Sequence, residues 1–285
     1  MQADSRYLNQ PKHFWAYVRT ISQEVGYTER KTSTNPESKV KIPTIKEIQK
    51  AFKRLDLETS PIFINGEVSE FGQSLISYFK YRADVLNDYV RPRLMDKHRA
   101  KEVYESIRRE YTPRFCDQPM NKQKGDKKAP AYLTCIINMI IEKHIGGHPC
   151  NYDPRELTTI TRNGAPLRTL ARRVDGAFPA AVNPKAIWEI KEYYYTTTFG
   201  SRVADGVYET LLDGMELAEL QEHEGIDVKH YLMVDDYFTW WECGRSYLCR
   251  MIDMLHMGFV DEVLFGFEVV ERLPLIVESW TNEQH

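Results

Sequence analysis

The chain has 285 residues, 42% of them hydrophobic and 28% charged, with a formal net charge of −3. That balance suits one large or two small water-soluble globular domains, with no apolar run long enough to span a bilayer and no apolar leader, so neither a membrane protein nor an exported one is expected. The five cysteines are irregularly spaced, which points to reduced thiols and a cytoplasmic setting; the slight acidity neither supports nor excludes a nucleic-acid partner, because a groove needs only local positive charge.

In chain order, Phe14, Tyr17, Val18, Ile21 and Val25 recur at helical spacing and predict a first amphipathic helix. Residues 26–41 are polar and loop-like, with Arg30 and Lys31 among them. Thr44 and Glu47 make a capping-box pattern for a second helix with Ile45, Ile48, Phe52 and Leu55 on its apolar face. Its other sides carry Lys46, Lys50, Lys53 and Arg54, a basic surface that either meets phosphates or, more commonly, is solvated. A longer helix carries Phe71, Leu75, Tyr78, Phe79, Ala83 and Leu86 and is expected to end near Val90, ahead of Pro92. Leu94 to Tyr111 predicts another. No Gly/Ser linker follows, so residues 1–115 are expected to form a helical region packed on a core of residues 116–285. Lys122, Lys124, Lys127 and Lys128 make residues 121–130 a basic loop, and Tyr132 to Ile145 reads as a buried helix with Glu142 near its end. His144, His148 and Cys150 lack the fourth ligand that structural zinc needs.

Two strands are expected on either side of Arg162-Asn163-Gly164, because Asn-Gly tolerates the positive φ of a hairpin turn. Arg155, Arg162, Arg168, Arg172 and Arg173 cluster here with Glu156 as the only acid, the best local case for a phosphate-facing surface. These two strands are expected between Glu156 and Val174, and the segment from Thr169 to Val174, which ends at Asp175, also reads as strand. A Pro-containing turn leads into a strand over Ala186–Tyr195, continuing as β structure through Thr198. Alternation puts Glu189 and Lys191 on one face and Trp188 and Ile190 on the other, and the hairpin brings Asp175 beside Glu189. Two adjacent carboxylates repel unless a cation lies between them. Mg²⁺ suits such a pair, since it uses one or two carboxylates together with water and phosphate oxygens. Lys191 beside the ion can orient or deprotonate a water or steady charge on a phosphoryl oxygen. The plainer alternative is a surface hairpin with ordinary Glu/Lys alternation; the Asp-Gly at the strand end, the apolar strand and the helix that follows favour a site.

V-D-G, a spacer and W-E-I-K resemble the PD-(D/E)XK nuclease signature found in many type II restriction endonucleases, with Val174 in place of the proline. The likeness covers the chain from Tyr132 to Phe267 and nothing in the first half. It implies an α/β fold with a central mixed β-sheet flanked by helices, restriction-endonuclease-like, assisted by the N-terminal helical region in DNA binding or dimerisation. It further implies that Asp175 and Glu189 bind Mg²⁺, with Mn²⁺ as a substitute, that Glu142 adds an acid to the metal site, and that Lys191 assists the attacking water. Double-stranded DNA is the implied substrate, cut at a short sequence by a homodimer. Arg162, Arg168, Arg172 and Arg173 are the candidate DNA contacts, joined by Arg202 in the first turn of a helix expected over residues 201–222, with Val203, Val207, Leu211, Met215 and Ala218 inward. A repair, junction-resolving or defence nuclease of the same fold, and a non-catalytic DNA-binding protein, are the alternatives.

Further on, a strand at Tyr231–Val234, a helix at Arg245–Met257 and a strand at Glu262–Phe267 suggest a crossover unit. Trp240 and Trp241 are expected in the core rather than stacked on bases. No glycine-rich loop with a phosphate-binding lysine occurs, so no nucleotide cofactor is expected.

Overall fold

The computed structural model describes residues 1–29, 38–197 and 199–281, the Lys127 side chain excepted. Arg30 and Lys31 of the expected loop, and Thr198, lie outside the described residues. In chain order the elements are α1 (Ser5–Leu8), α2 (Lys12–Val25), α3 (Ile45–Arg54), the short strands β1 (Phe63–Ile64) and β2 (Glu67–Val68), α4 (Glu70–Asp84), α5 (Lys97–Glu110), α6 (Tyr132–His144), β3 (Thr159–Arg162), β4 (Ala165–Thr169), β5 (Gly176–Phe178), β6 (Ala186–Glu192), α7 (Ser201–Glu224), β7 (Lys229–Asp235), α8 (Arg245–His256), β8 (Glu262–Phe265) and α9 (Glu268–Thr281).

Local chemistry explains most of the boundaries. The capping box at the start of α3 is formed: Glu47 N–H donates to Thr44 Oγ1 at 3.3 Å and Thr44 N–H donates to Glu47 Oε2 at 2.9 Å. After α4 the chain winds on through a π-helical stretch, Val85–Val90, and a 3₁₀ turn, Arg91–Arg93, which accepts Pro92 at its start. Asp96 caps α5 by accepting from His98 N and Arg99 N. Asn163 and Gly164 take φ of 54° and 80°, the hairpin turn that links β3 and β4.

The central sheet has four strands in the order β5-β6-β7-β8. β5 and β6 are an antiparallel hairpin, and β6, β7 and β8 run parallel, each joined to the next through a helix. The expected α/β fold with a mixed sheet is therefore present, and the β7–α8–β8 crossover lies where the pattern placed it. One face of the sheet packs Trp188, Tyr231 and Met233 against α5, α6 and α9. The other packs Leu232, Val234 and Phe265 against α7 and α8. Trp188 and Trp280 stack at 5.6 Å in the first of these layers, and Trp240 and Trp241 are buried in the second. A separate cluster joins α2, α3 and α4 through Phe14, Ile21, Ile48, Phe52, Leu75 and Phe79.

Several expectations need correction. The strand expected over Thr169–Val174 stops at Thr169, and residues 171–175 bend irregularly into β5; β3 and β4 form a two-stranded sheet of their own. β6 ends at Glu192, followed by a turn through Tyr194 and Tyr195 in place of further strand. The inward stripe of α7 is Val203, Gly206, Val207, Thr210, Asp213, Gly214, Leu217 and Leu220, while Met215 is 52% exposed. Hydrophobicity misplaced this face because its closest contacts are made by glycines, and its polar members are satisfied by the helix itself at Thr210 and by Arg172 at Asp213. On α3, Ile45 and Leu55 are exposed, and Ala51 takes part in the buried face.

Candidate active site

The β5–β6 hairpin sets the site. Gly176 pairs with Trp188, Asp175 N–H donates to the Trp188 carbonyl at 3.1 Å, and Ile190 N–H donates to Asp175 Oδ2 at 2.8 Å. Asp175 is thus locked beside the Glu-Ile-Lys stretch. The glycine after it is required: a Cβ on Gly176 would lie 2.0 Å from the Trp188 indole, so only glycine lets that ring cross the strand.

Glu189 is fully buried and Lys191 is 5% exposed. Lys191 Nζ lies 2.7 Å from Glu189 Oε2 and 3.5 Å from Glu209 Oε2. Arg172, from the bend before β5, places Nη1 2.8 Å from Glu189 Oε1 and 2.6 Å from Asp213 Oδ2, and its Nη2 lies 3.3 Å from Glu209. Four carboxylates, Asp175, Glu189, Glu209 and Asp213, therefore share two cations, Arg172 and Lys191.

The titration of the cluster follows from that imbalance. Crowding by protein, then the Glu189 charge, pushes Asp175 up to about 6, although its exposed side chain still draws some solvation. Burial, then Glu189, pushes the fully buried Asp213 up to about 7. Burial would also raise Glu189, but Lys191 and Arg172 outweigh it and hold the carboxylate below its usual range. Burial would lower Lys191; Glu189 and Asp175 outweigh it and keep the ammonium charged.

A divalent cation fits this chemistry. Asp213 Oδ1 is buried without a hydrogen-bond donor among the described residues, and the carboxylate excess corresponds to one divalent charge. No three His, Cys, Asp or Glu side chains form a ready-made metal cage among the described residues. The arrangement is instead an open pair of carboxylates, with remaining positions left to water and substrate, as Mg²⁺ prefers.

Residues 95–280 match a family described as a domain of unknown function (DUF7687). The chain belongs to that family. In this DUF7687 chain residues 1–89 match a second domain of unknown function (DUF7690), and no curated protein and no solved structure matches. The boundary between the two matches falls ahead of α5, which packs Ala100 and Val103 into the layer under the sheet, whereas the expected division at residue 115 lies beyond it.

Glu142 is not brought to the DUF7687 carboxylate cluster. One of its oxygens accepts from Tyr111 OH at 2.7 Å and from Arg114 N–H, the other from Phe115 N–H at 3.0 Å and Cys116 N–H at 2.8 Å. Burial alone would raise this carboxyl, but these donors pull it down to about 2. It anchors residues 111–116 and has no oxygen left for a metal.

The arginine surface is also different from the expected one. Arg162 pairs with Glu224 at 2.9 Å, Arg168 with Glu219 at 2.9 Å, and Arg172 turns inward. Glu156 is the only acid between residues 155 and 173; α7, which lies against the β3–β4 hairpin, supplies the partners. Arg173 and Arg202 are exposed. Glu209 and Asp213 escaped the sequence reading, although their four-residue separation on a helix three and seven residues past Gly206 was a usable signal. A Cβ on Gly206 would lie 3.2 Å from Lys191 Cδ, so that face is shaped around the lysine. His144 pairs with Glu278 at 3.1 Å, and all five cysteines are free thiols. No helix among the described residues is long and apolar enough to cross a membrane.

Proposed function

We propose that the chain hydrolyses phosphodiester bonds in DNA with the help of Mg²⁺ or Mn²⁺, and that Asp175, Glu189 and Lys191 carry the reaction. The observation behind this reading is the unbalanced carboxylate cluster on the β5–β6 hairpin, built around the Glu-Ile-Lys strand and two cations short of neutrality. Asp175 and Glu189 would hold the ion. When bound, the ion supplies a water of lowered pKa and neutralises charge on the phosphoryl oxygens.

Lys191 acts in this scheme as a cation. Its ammonium is held charged by Glu189 and Asp175, so it donates hydrogen bonds to water or to a phosphoryl oxygen and does not serve as the base. Arg172 stabilises Glu189 and Asp213 from the protein side. Arg173 and Arg202 are the phosphate contacts, and Arg162 and Arg168 join them only by exchanging Glu224 and Glu219 for phosphate.

The finer reading is a type II restriction endonuclease with a PD-(D/E)XK core, cutting duplex DNA as a homodimer whose two-fold axis matches a palindromic site. It rests on the motif. The test is digestion of defined plasmids with Mg²⁺, against chelator and against Asp175→Ala. Discrete fragments support restriction, and smears support a repair, junction-resolving or defence nuclease. DNA binding without cleavage under any divalent cation supports a non-catalytic DNA-binding protein and ends the catalytic reading.

A further inference from the structure

A cleft of about 510 Å³ opens where α2 faces α7 and α8. It is separate from the carboxylate cluster: Val207, Tyr208 and Leu211 line it from one side of α7, whereas Glu209 and Asp213 of the same helix reach Arg172. Its floor is apolar, with Leu55, Val207, Leu211 and Met254. Two arginines stand in its wall, Arg19 from α2 and Arg250 from α8.

The cleft holds positive charge that the acids described in its lining do not neutralise. The Arg250 guanidinium lies 4.7 Å from the Tyr27 ring centre and 4.6 Å from that of Tyr247, which fixes its plane. Its Nη1 is buried with no acceptor. Among the described residues Arg19 reaches the sulfur of Met257, at 3.4 Å. The two acids that line the cleft are committed elsewhere, Glu24 to Arg54 and Asp253 to Arg82 and Tyr78. A bare inorganic anion would leave the apolar floor unfilled, and an apolar ligand would cover the two guanidinium groups without offering either an acceptor, which costs free energy.

We propose that this cleft is a binding site for a nucleoside phosphate, with the phosphate on Arg250 and Arg19 and the base against Tyr208 and the apolar floor. The volume is in the range of small-ligand pockets, and aromatic rings with arginine are the usual means of holding a base and its phosphate. The site joins α2 of the DUF7690 match to α7 and α8 of the DUF7687 match, so its ligand bridges the two regions. The inference does not depend on the hydrolytic reading.

Calorimetric titration of the full chain in chelator tests it, with adenosine 5′-monophosphate, guanosine 5′-monophosphate, adenosine and inorganic phosphate as separate titrants. At least one nucleotide should bind about tenfold or more tightly than adenosine or phosphate, each of which makes only part of the contacts. Arg250→Gln and Arg19→Gln should each weaken that binding by about tenfold, the scale of a lost charge-assisted hydrogen bond. Arg19 is exposed, so its variant keeps the fold, and Asp175→Asn should bind as the wild type does. The proposal is overturned if neither nucleotide saturates, if phosphate alone binds as tightly, or if Asp175→Asn loses binding while both arginine variants keep it.

Discussion

Lys191 is the residue whose substitution separates chemistry from binding. Its ammonium sits between Glu189 and Glu209, so Lys191→Ala should lower single-turnover DNA cleavage by about two orders of magnitude or more, with DNA affinity falling far less. Normal cleavage by that variant would remove the lysine from the mechanism. Lys191→Arg should not rescue it, because the methylenes already lie 3.2 and 3.4 Å from a Cβ position on Gly206 and a planar guanidinium needs more room. Arg172 behaves differently from its neighbour. Arg172→Ala should leave the salt dependence of DNA binding unchanged and destabilise the fold by about 2 kcal/mol in urea melts, below the full cost of breaking a buried pair because solvent reaches the side chain. Arg173→Ala should instead reduce the salt slope by about one contact. Asp213 supplies a pH test. Its folded pKa of about 7 lies above the ordinary 3.8, so the folded chain keeps a proton that the unfolded chain releases. The associated stability is complete below the lower value and is lost as pH rises through the upper one. In chelator, wild type should therefore fall behind Asp213→Asn between about pH 4 and about pH 7, losing ~1.4 kcal/mol for each step of one in pH across that window. Parallel stability curves for the two proteins would show that Asp213 carries no such proton, and Mg²⁺ should flatten the wild-type fall if the ion replaces it.

At the scale of elements, the β5–β6 hairpin and α7 set the geometry through two glycines of unequal tightness. An added Cβ at position 176 meets the Trp188 ring at 2.0 Å, whereas at position 206 it meets Tyr193 Oη at 3.1 Å and the end of a flexible lysine. Gly176→Ala should therefore cost about 3 kcal/mol by overpacking, at the upper end for such insertions, because the Trp188 ring also stacks on Trp280. Gly206→Ala should leave the melting temperature nearly unchanged, since alanine is the better helix former, while it displaces Lys191 and slows cleavage. Thermal melts and single-turnover rates on both variants check the contrast; equal destabilisation would mean that the helix and the hairpin do not meet as closely as these contacts require.

Across the whole molecule, a buried ion pair ties the N-terminal helices to the sheet-bearing part. Arg82 of α4 lies 3.0 Å from both oxygens of Asp253 of α8, Tyr78 OH donates to Asp253 at 2.7 Å, and Arg82 Nη2 donates to Ser22 of α2 at 3.0 Å. Arg82 is 1% exposed, so Asp253→Asn strands a buried guanidinium, at a cost of about 3–5 kcal/mol. Urea unfolding should show that loss, and hydrogen exchange should quicken in α2 and α4. A loss under about 1 kcal/mol, the scale of an exposed pair, would mean that the pair does not clamp the two regions.

Elements whose order is set by near neighbours were legible from the sequence. The capping box at Thr44 and Glu47, the Asn163-Gly164 turn, the apolar run of α6 and the β7–α8–β8 crossover all follow from patterns a few residues long. The pairing of Asp175 with Glu189 was legible for the same reason, because one short hairpin closes it. Tertiary structure decided what lies across from those residues. Arg162, Arg168 and Arg172 read as a phosphate surface until α7 sets Glu224, Glu219, Glu209 and Asp213 against them. Glu142 reads as a metal ligand until residues 111–116 fill both its oxygens. The physical reason is range. Helix and turn patterns are local and repeat with the backbone period, whereas charge neutralisation depends on which distant carboxylate reaches a cation first. Local spacing in the sequence does not carry that choice, and the packing of α7 against the sheet and the β3–β4 hairpin makes it.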